Sequence, residues 1–287
     1  EHFGEINFMK GGIIFADQVT TVSPTYTREI QGGVMGAGLD GLLRSLSWKL
    51  TGILNGIDME QWNPATDKHL PASYDRDTLG GKEIAKRALV SESGLRYQAG
   101  TPLIGAVSRL VEQKGFQLLT PILPRILQAG AQFVLLGSGE SHLEREFQRV
   151  ASEHREACSV TIGFDNALAH RIYAGCDMLL VPSLYEPCGL SQMYALRYGT
   201  LPVVRLTGGL ADTVIPYDGS NAHVANGFGF VTPSPADLYA ATWTGILNFK
   251  DSGVWRRLQQ NGMRTDFSWD RSAREYEAIY RRAASAA

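Results

Sequence analysis

The chain is predicted to be an α/β protein built on a doubly wound parallel sheet. Three observations carry this expectation. From residue 101 onward, short apolar runs alternate with stretches of helical spacing, the pattern that successive βαβ units produce. The apolar runs hardly alternate with polar residues, as expected of strands whose two faces are both covered by helices. Finally, the apolar run at 178–181 is broken by Pro182, Pro187 and Gly189 before helical spacing resumes at 190–198, which puts a loop and a helix start at the end of a buried strand. In open α/β sheets that edge is where ligands bind, and a helix opening there presents free N–H groups to an anion.

Residues 60–100 are polar and weakly periodic, with KEIAKRALV at 82–90 the one clear amphipathic helix. PLIGAV (102–107) then reads as a strand, followed by a helical stretch to Leu127 that Pro121 and Pro124 should split or shorten. QFVLLG (132–137) precedes the helix SHLEREFQRVASEH, SVTIGF (159–164) precedes NALAHRIYAG, MLLVPS (178–183) precedes LSQMYALRYG, and LPVVRL (201–206) leads into a loop. Gly137-Ser138-Gly139-Glu140 lacks the third glycine of a dinucleotide fingerprint and is read as a turn. The last segment, 268–287, is expected to be a helix with Ser268 as N-cap and Asp270 in its first turn.

At 287 residues, 44% hydrophobic and 20% charged, the chain can bury one or two sizeable cores. Its net charge of −2 argues against nucleic acid as a partner, since such binding depends on Lys and Arg neutralising phosphates. Cys158, Cys176 and Cys188 are odd in number and lack metal-ligand spacing, and none of the six histidines pair at such spacing, so free thiols in a reducing compartment and no metal are expected. No apolar run approaches the ~20 residues of a membrane span.

EPCGLSQMYALRYGTLP at 186–202, followed by TGGLADTV at 207–214, closely resembles the bacterial glycogen synthases and plant starch synthases. TTVSPTY (20–26), GLDGLL (38–43), ILNGID (53–58) and SRLVEQKGF (108–116) are similar to the same family, in its order. The resemblance implies a GT-B glycosyltransferase with two Rossmann-like domains, of which this chain would hold the carboxyl-terminal one. Residues 1–52 would be a remnant of the amino-terminal, acceptor-side domain with the hinge, 53–267 the nucleotide-sugar-binding domain, and 268–287 a crossover helix returning to the first domain. Tyr276, Ile279 and Tyr280 on that helix would then have lost much of their packing partner. Lys10-Gly11-Gly12 imitates the family's Lys-x-Gly-Gly phosphate motif, but IIFADQVTTVSP directly after it belongs later in the family's order, so the true motif is expected upstream.

The candidate site follows. Arg109 and Lys114, expected in a loop after the strand PLIGAV, offer a planar fork and a compact charge for a diphosphate leaving group; such a pair alone is weak evidence, and it is the resemblance that gives it this role. Glu186, between strand and helix, can accept hydrogen bonds from sugar hydroxyls or merely favour the helix dipole; the family assigns it to the donor's glucose. Together these three are the expected catalytic residues. Cys188, Gly189, Leu190 and Ser191 open the helix toward the distal phosphate. Phe164 matches an adenine-stacking position, Asn55 a hinge residue near the donor, and Gly208 and Gly209 a tight loop facing the phosphates. Many related transferases carry a second Glu where this chain has Tyr194, as the synthases do.

The implied activity is transfer of glucose from ADP-glucose to the non-reducing end of an α-1,4-glucan with retention of configuration, without cofactor or metal, in a bacterial cytoplasm or a plastid stroma. The chain by itself is expected to be a poor catalyst. The competing reading is a nucleotide- or nucleotide-sugar-binding module without turnover.

Overall fold

The computed structural model describes residues 4–286. The first unit contains helix α1 (Phe8–Phe15), strand β1 (Val19–Thr21), α2 (Pro24–Glu29), α3 (Asp40–Ser45) and β2 (Leu50–Gly52), with β1 and β2 paired in parallel. Ser23 caps α2 by accepting from the Tyr26 N–H, and Pro24 occupies the first helical position, where its missing donor costs nothing. Lys10-Gly11-Gly12 lies inside α1, whose N-cap Asn7 accepts from the Lys10 N–H.

After α4 (Gly80–Glu92), the chain runs through β3 (Leu103–Leu110), α5 (Leu123–Gln128), β4 (Gln132–Gly139), α6 (Ser141–Glu153), β5 (Cys158–Ile162), α7 (Asn166–Gly175), β6 (Met178–Val181), α8 (Ser191–Arg197), β7 (Leu201–Arg205), α9 (Gly208–Thr213) and β8 (Phe228–Phe230). The strands form one six-stranded sheet in the order β5-β4-β3-β6-β7-β8, every pairing parallel. Strand order reverses beside β3, because β4 and β5 build outward on one side while β6 returns to the other. This opens a crevice at the carboxyl ends of β3 and β6.

Successive strand residues feed two different cores. Ile104, Phe133, Leu135, Met178, Leu180 and Val203 belong to one apolar cluster, and Leu103, Val134, Leu136, Leu179 and Val204 to the other. With both faces covered, neither set could be polar, which is why the strands read as unbroken apolar runs.

Three expectations need correction. Gly137-Ser138-Gly139 is not a turn: it completes β4, paired with Ser108, Arg109 and Leu110 of β3. A Cβ at Gly137 would lie 2.1 Å from the Ser108 carbonyl oxygen, so the glycine admits a close strand approach. Arg109 accordingly stands on β3 rather than in a loop after it. The segment after LPVVRL is a helix, α9, too short to carry a period in sequence. Pro124 sits in the first turn of α5, so the prolines shift the start of that helix as expected.

The chain closes with α10 (Pro235–Asn248), α11 (Ser252–Arg264) and α12 (Trp269–Ala286). Helix α12 returns to the 53–58 segment: Ser268 bridges to Ile57, the Ser272 hydroxyl donates to the Leu54 carbonyl at 2.6 Å, and Ile279 is buried. Tyr280 is exposed, whereas Ile279, expected to have lost much of its packing partner, is buried.

Candidate functional site

A cleft of about 410 Å³ occupies the crevice between β3 and β6. Its walls include Arg109, Gln113 and Lys114 from the β3 side, Ser183 through Gln192 in part from the β6 side, Val22 from the first unit and Asn55 from the segment after β2. The β3 side is shaped by a single 3₁₀ turn, Glu112–Lys114, closed by Gly115 at φ 73°. A Cβ there would lie 2.0 Å from the Pro182 carbonyl oxygen, so left-handed geometry and close approach both demand glycine. The Leu184 N–H donates to the Gln113 carbonyl at 2.8 Å and the Gln113 amide to the Tyr185 carbonyl at 3.3 Å, which ties the two walls together.

Lys114 Nζ stands 2.5 Å from Glu186 Oε2, and the Ser183 hydroxyl donates to the same oxygen at 3.0 Å. The carboxylate is buried and the ammonium mostly so. Glu186 Oε1 accepts no hydrogen bond among the described residues, which leaves one lone-pair-bearing atom for a ligand. Arg109 is exposed and has no ion-pair partner among the described residues, so its guanidinium is uncommitted. A doubly cationic rim around one buried carboxylate suits a molecule with an anionic end and a hydroxylated end.

Gly189 adopts φ 71°, and a Cβ would meet Gln192 Oε1 at 2.5 Å. Gln192, fully buried, donates to the Cys188 and Gly189 carbonyls and to the Thr213 hydroxyl, pinning the loop that precedes α8. Burial pushes the Cys188 thiol up, with a partly compensating hydrogen bond from the Asn55 backbone and further raising by Glu186 and Asp212; Cys188 is therefore a neutral wall atom. Leu190 and Ser191 line the cleft beside it.

Phe164 is not on this cleft. It is 91% exposed and borders a second cavity of about 220 Å³ that shares Val107, Ser108 and Arg109 with the first. The two cavities thus meet at the end of β3, with Phe164 at the far lip. An aromatic ring so exposed after β5 contributes little to either core.

Gly208 and Gly209 do not line the cleft either, and their N–H groups are engaged: Gly208 donates to Glu29 Oε1 at 3.0 Å and Gly209 to the Glu186 carbonyl at 3.1 Å. They lie beneath the 186–188 loop rather than facing the cavity. Lys10, Gly11 and Gly12 are absent from the lining. Ser183, Gln113 and Gln192 were not expected; only the short spacing of Ser183 from Glu186 carries any signal in sequence.

His170 has a structural role: Nδ1 lies 2.7 Å from Asp67 Oδ2, which also accepts from the Tyr198 hydroxyl at 2.5 Å. Trp62 stacks between His170 and Tyr194, each at 3.9 Å, so Tyr194 anchors the segment around Trp62. Among the described residues no cluster of three or more His, Cys, Asp or Glu is arranged to hold a metal ion, and no helix is long and apolar enough to cross a membrane.

Comparison with known proteins bears on the origin of this site. The family model described as "Glycosyl transferases group 1" matches residues 101–244, half of the chain, and "Starch synthase catalytic domain" matches residues 1–45. The chain is 51% identical to a glycogen synthase of Cellvibrio japonicus over 98% of its own length and 58% of that protein's. It is 49% identical to a glycogen synthase of Leptothrix cholodnii over 99% of its length and 59% of that protein's. It thus spans less than two thirds of the curated relatives it matches. Among solved structures, the catalytic domain of starch synthase IV from Arabidopsis thaliana, bound to ADP and acarbose, superposes with a TM-score of 0.92 at 42% identity, covering 98% of this chain and 58% of that one. A sucrose-phosphate synthase from Thermosynechococcus elongatus, at 20% identity and TM-score 0.67, shares the fold. With the cleft at the strand-order reversal, its paired Lys114 and Glu186, and these matches, the chain belongs to the group 1 glycosyltransferases, in the glycogen synthase and starch synthase family.

Proposed function

We propose that this chain carries the donor half of an enzyme that transfers glucose from ADP-glucose to the non-reducing end of an α-1,4-glucan, retaining the α configuration. The observation that carries the reading is the buried Glu186 carboxylate held by Lys114 inside a cleft whose opposite rim offers Arg109. In this reading Arg109 and Lys114 hold the diphosphate and stabilise its charge as the glycosyl bond breaks, while Glu186 Oε1 takes sugar hydroxyls. Gly189, Leu190 and Ser191 border the distal phosphate, Asn55 approaches from the hinge, and Phe164 stacks on the base across the shared end of β3. Positioning and leaving-group stabilisation can each supply several kcal/mol, and the reaction so drawn calls on no cofactor beyond the donor. Gly208 and Gly209 act from below, through the loop they support. The relatives' names and the ADP and acarbose in the Arabidopsis structure support this choice of donor and acceptor. A bacterial cytoplasm or a plastid stroma is the compartment that fits.

Calorimetric titration of the chain with ADP, with UDP and an Arg109→Ala variant as controls, tests the donor site. Binding of ADP that weakens at least tenfold in the variant, the order expected for a lost charge-assisted hydrogen bond, supports it; a folded chain that binds neither nucleotide would overturn it. Because the chain spans 58% of its glycogen synthase relative, a second reading is a nucleotide-sugar-binding module without turnover. Incorporation of labelled glucose into glycogen by this chain at the rate of a full-length relative would exclude that reading.

A further inference from the structure

Glu29, the last residue of α2, belongs to the first unit, yet it reaches across to the sheet domain. Its Oε1 accepts from the Thr207 hydroxyl at 2.8 Å and from the Gly208 N–H at 3.0 Å, while its Oε2 is buried without a hydrogen bond. A second clasp lies alongside, where Asp212 accepts from the Thr25 N–H at 2.9 Å and the Thr25 hydroxyl at 2.6 Å. Helix α2 is therefore fastened to α9 at both ends of α9.

The first turn of α9 is in turn the floor of the 186–188 loop. A Cβ on Gly208 would lie 1.9 Å from the Glu186 carbonyl oxygen and one on Gly209 1.9 Å from the Cys188 carbonyl oxygen. The Gly209 N–H donates to the Glu186 carbonyl at 3.1 Å. With no side chain between them, a displacement of residues 207–209 passes directly to the backbone that carries the Glu186 carboxylate. Interiors packed this closely transmit such shifts rather than absorb them.

We propose that Glu29 is a positioning residue for Glu186: its carboxylate fixes residues 207–208, these fix the height of the 186–188 loop, and the loop sets where Glu186 meets the sugar end of the ligand. The inference rests on the donor-site reading above for the identity of that ligand. Glu29 touches no substrate in this scheme and leaves the nucleotide end alone, because Arg109 and Phe164 stand on other segments and the Gly189 carbonyl is held separately by Gln192.

The full 287-residue chain as wild type, Glu29→Ala, Glu29→Gln and Glu186→Ala would be titrated with ADP and with ADP-glucose, and amide hydrogen exchange followed at Glu186 and Cys188, with 189–191 as the control segment. In Glu29→Ala, ADP affinity should stay within about twofold, while the factor by which the glucosyl group changes affinity should shift by about tenfold, in the direction seen for Glu186→Ala. Exchange at Glu186 and Cys188 should rise in Glu29→Ala, with 189–191 unchanged, and fall back in Glu29→Gln, which keeps an acceptor oxygen for both donors. Equal loss for both ligands, or an unchanged glucosyl factor, overturns the proposal. If Glu29→Ala does not fold, Thr207→Val removes one of the two donors and should give a smaller shift of the same sign; no shift overturns the proposal. A wild-type chain that binds neither nucleotide defeats the donor-site reading, and the exchange arm still decides whether Glu29 governs the loop.

Discussion

Gly115 bears on the site more than its lack of a side chain would imply. It holds a left-handed φ of 73° and sits where a Cβ would come 2.0 Å from a backbone oxygen, and its neighbour Lys114 is the group that meets Glu186. Gly115→Ala is expected to destabilise the chain by about 2 to 4 kcal/mol, from left-handed strain plus a backbone clash, and to weaken ADP binding as Lys114 is displaced. Urea unfolding followed by titration would check both; an unchanged midpoint would contradict the geometry. Lys114 and Glu186 could be named from the sequence only because the segments that carry them, SRLVEQKGF and EPCGL, resemble a known family. Ser183, Gln113 and Glu29 could not. Their roles come from hydrogen bonds between segments that the chain brings together only on folding, and a lone Ser, Gln or Glu carries no periodicity.

At the scale of the element, α4 separates what a sequence pattern can and cannot show. Its helical period was evident, but Lys82 and Lys86 lie on the buried face with Ala85, Leu89 and Val90, contrary to the usual outward placement of charge. Lys82 Nζ donates to the Ala174 and Tyr198 carbonyls and to the Thr200 hydroxyl at 2.6–3.1 Å. Lys86 donates to Asp177 and to the Thr101 carbonyl, both at 2.7 Å. Asp177 also accepts from the Leu103 N–H at 2.7 Å, so this pair ties α4 to the start of β3. Burial pushes the Asp177 carboxyl up, and Lys86 opposes that push. Lys86→Met would strand a buried carboxylate and should cost about 3 to 5 kcal/mol. Replacing both partners by apolar residues should cost less than that single change, and denaturant midpoints of the two variants would show whether it does. Helix α9 was missed for a different reason. Its six residues open on two glycines and complete less than two turns, so no apolar period can accumulate, and the sequence reads as a loop although tertiary packing makes it a helix.

For the molecule as a whole, these buried groups set how stability varies with pH. Burial pulls the Lys82 ammonium down to about 7 from its ordinary 10.5, against the opposing pull of Asp177. Between those values the unfolded chain holds a proton that the folded chain has released. Stability must therefore rise with pH across that window, with a slope approaching about 1.4 kcal/mol per pH unit from this group alone. Asp67 acts at the acid end. Burial would raise its carboxyl, but hydrogen bonds from the Tyr198 hydroxyl, the His69 N–H and His170 hold it below the usual carboxylate value. A depressed carboxyl contributes stability that is present above its unfolded pKa and is lost as pH falls through its folded one. Other buried groups act with the opposite sign: Asp177, whose carboxyl burial raises, works against Asp67 in the acid range, and Cys158, Cys176 and Cys188, whose thiols burial raises from 9.0, work against Lys82 as pH nears that value, so the Lys82 contribution stands clearest between about 7 and about 8.5. Urea midpoints measured from pH 6 to 9.5 for wild type and Lys82→Met isolate the upper window, because the variant keeps every other titrating group. Whatever slope the shared thiols give both chains, the wild type's midpoint should rise relative to the variant's across the window. Parallel curves would mean that Lys82 stays protonated in the folded chain, its charge stabilised by the three acceptors around it strongly enough to offset the loss of water.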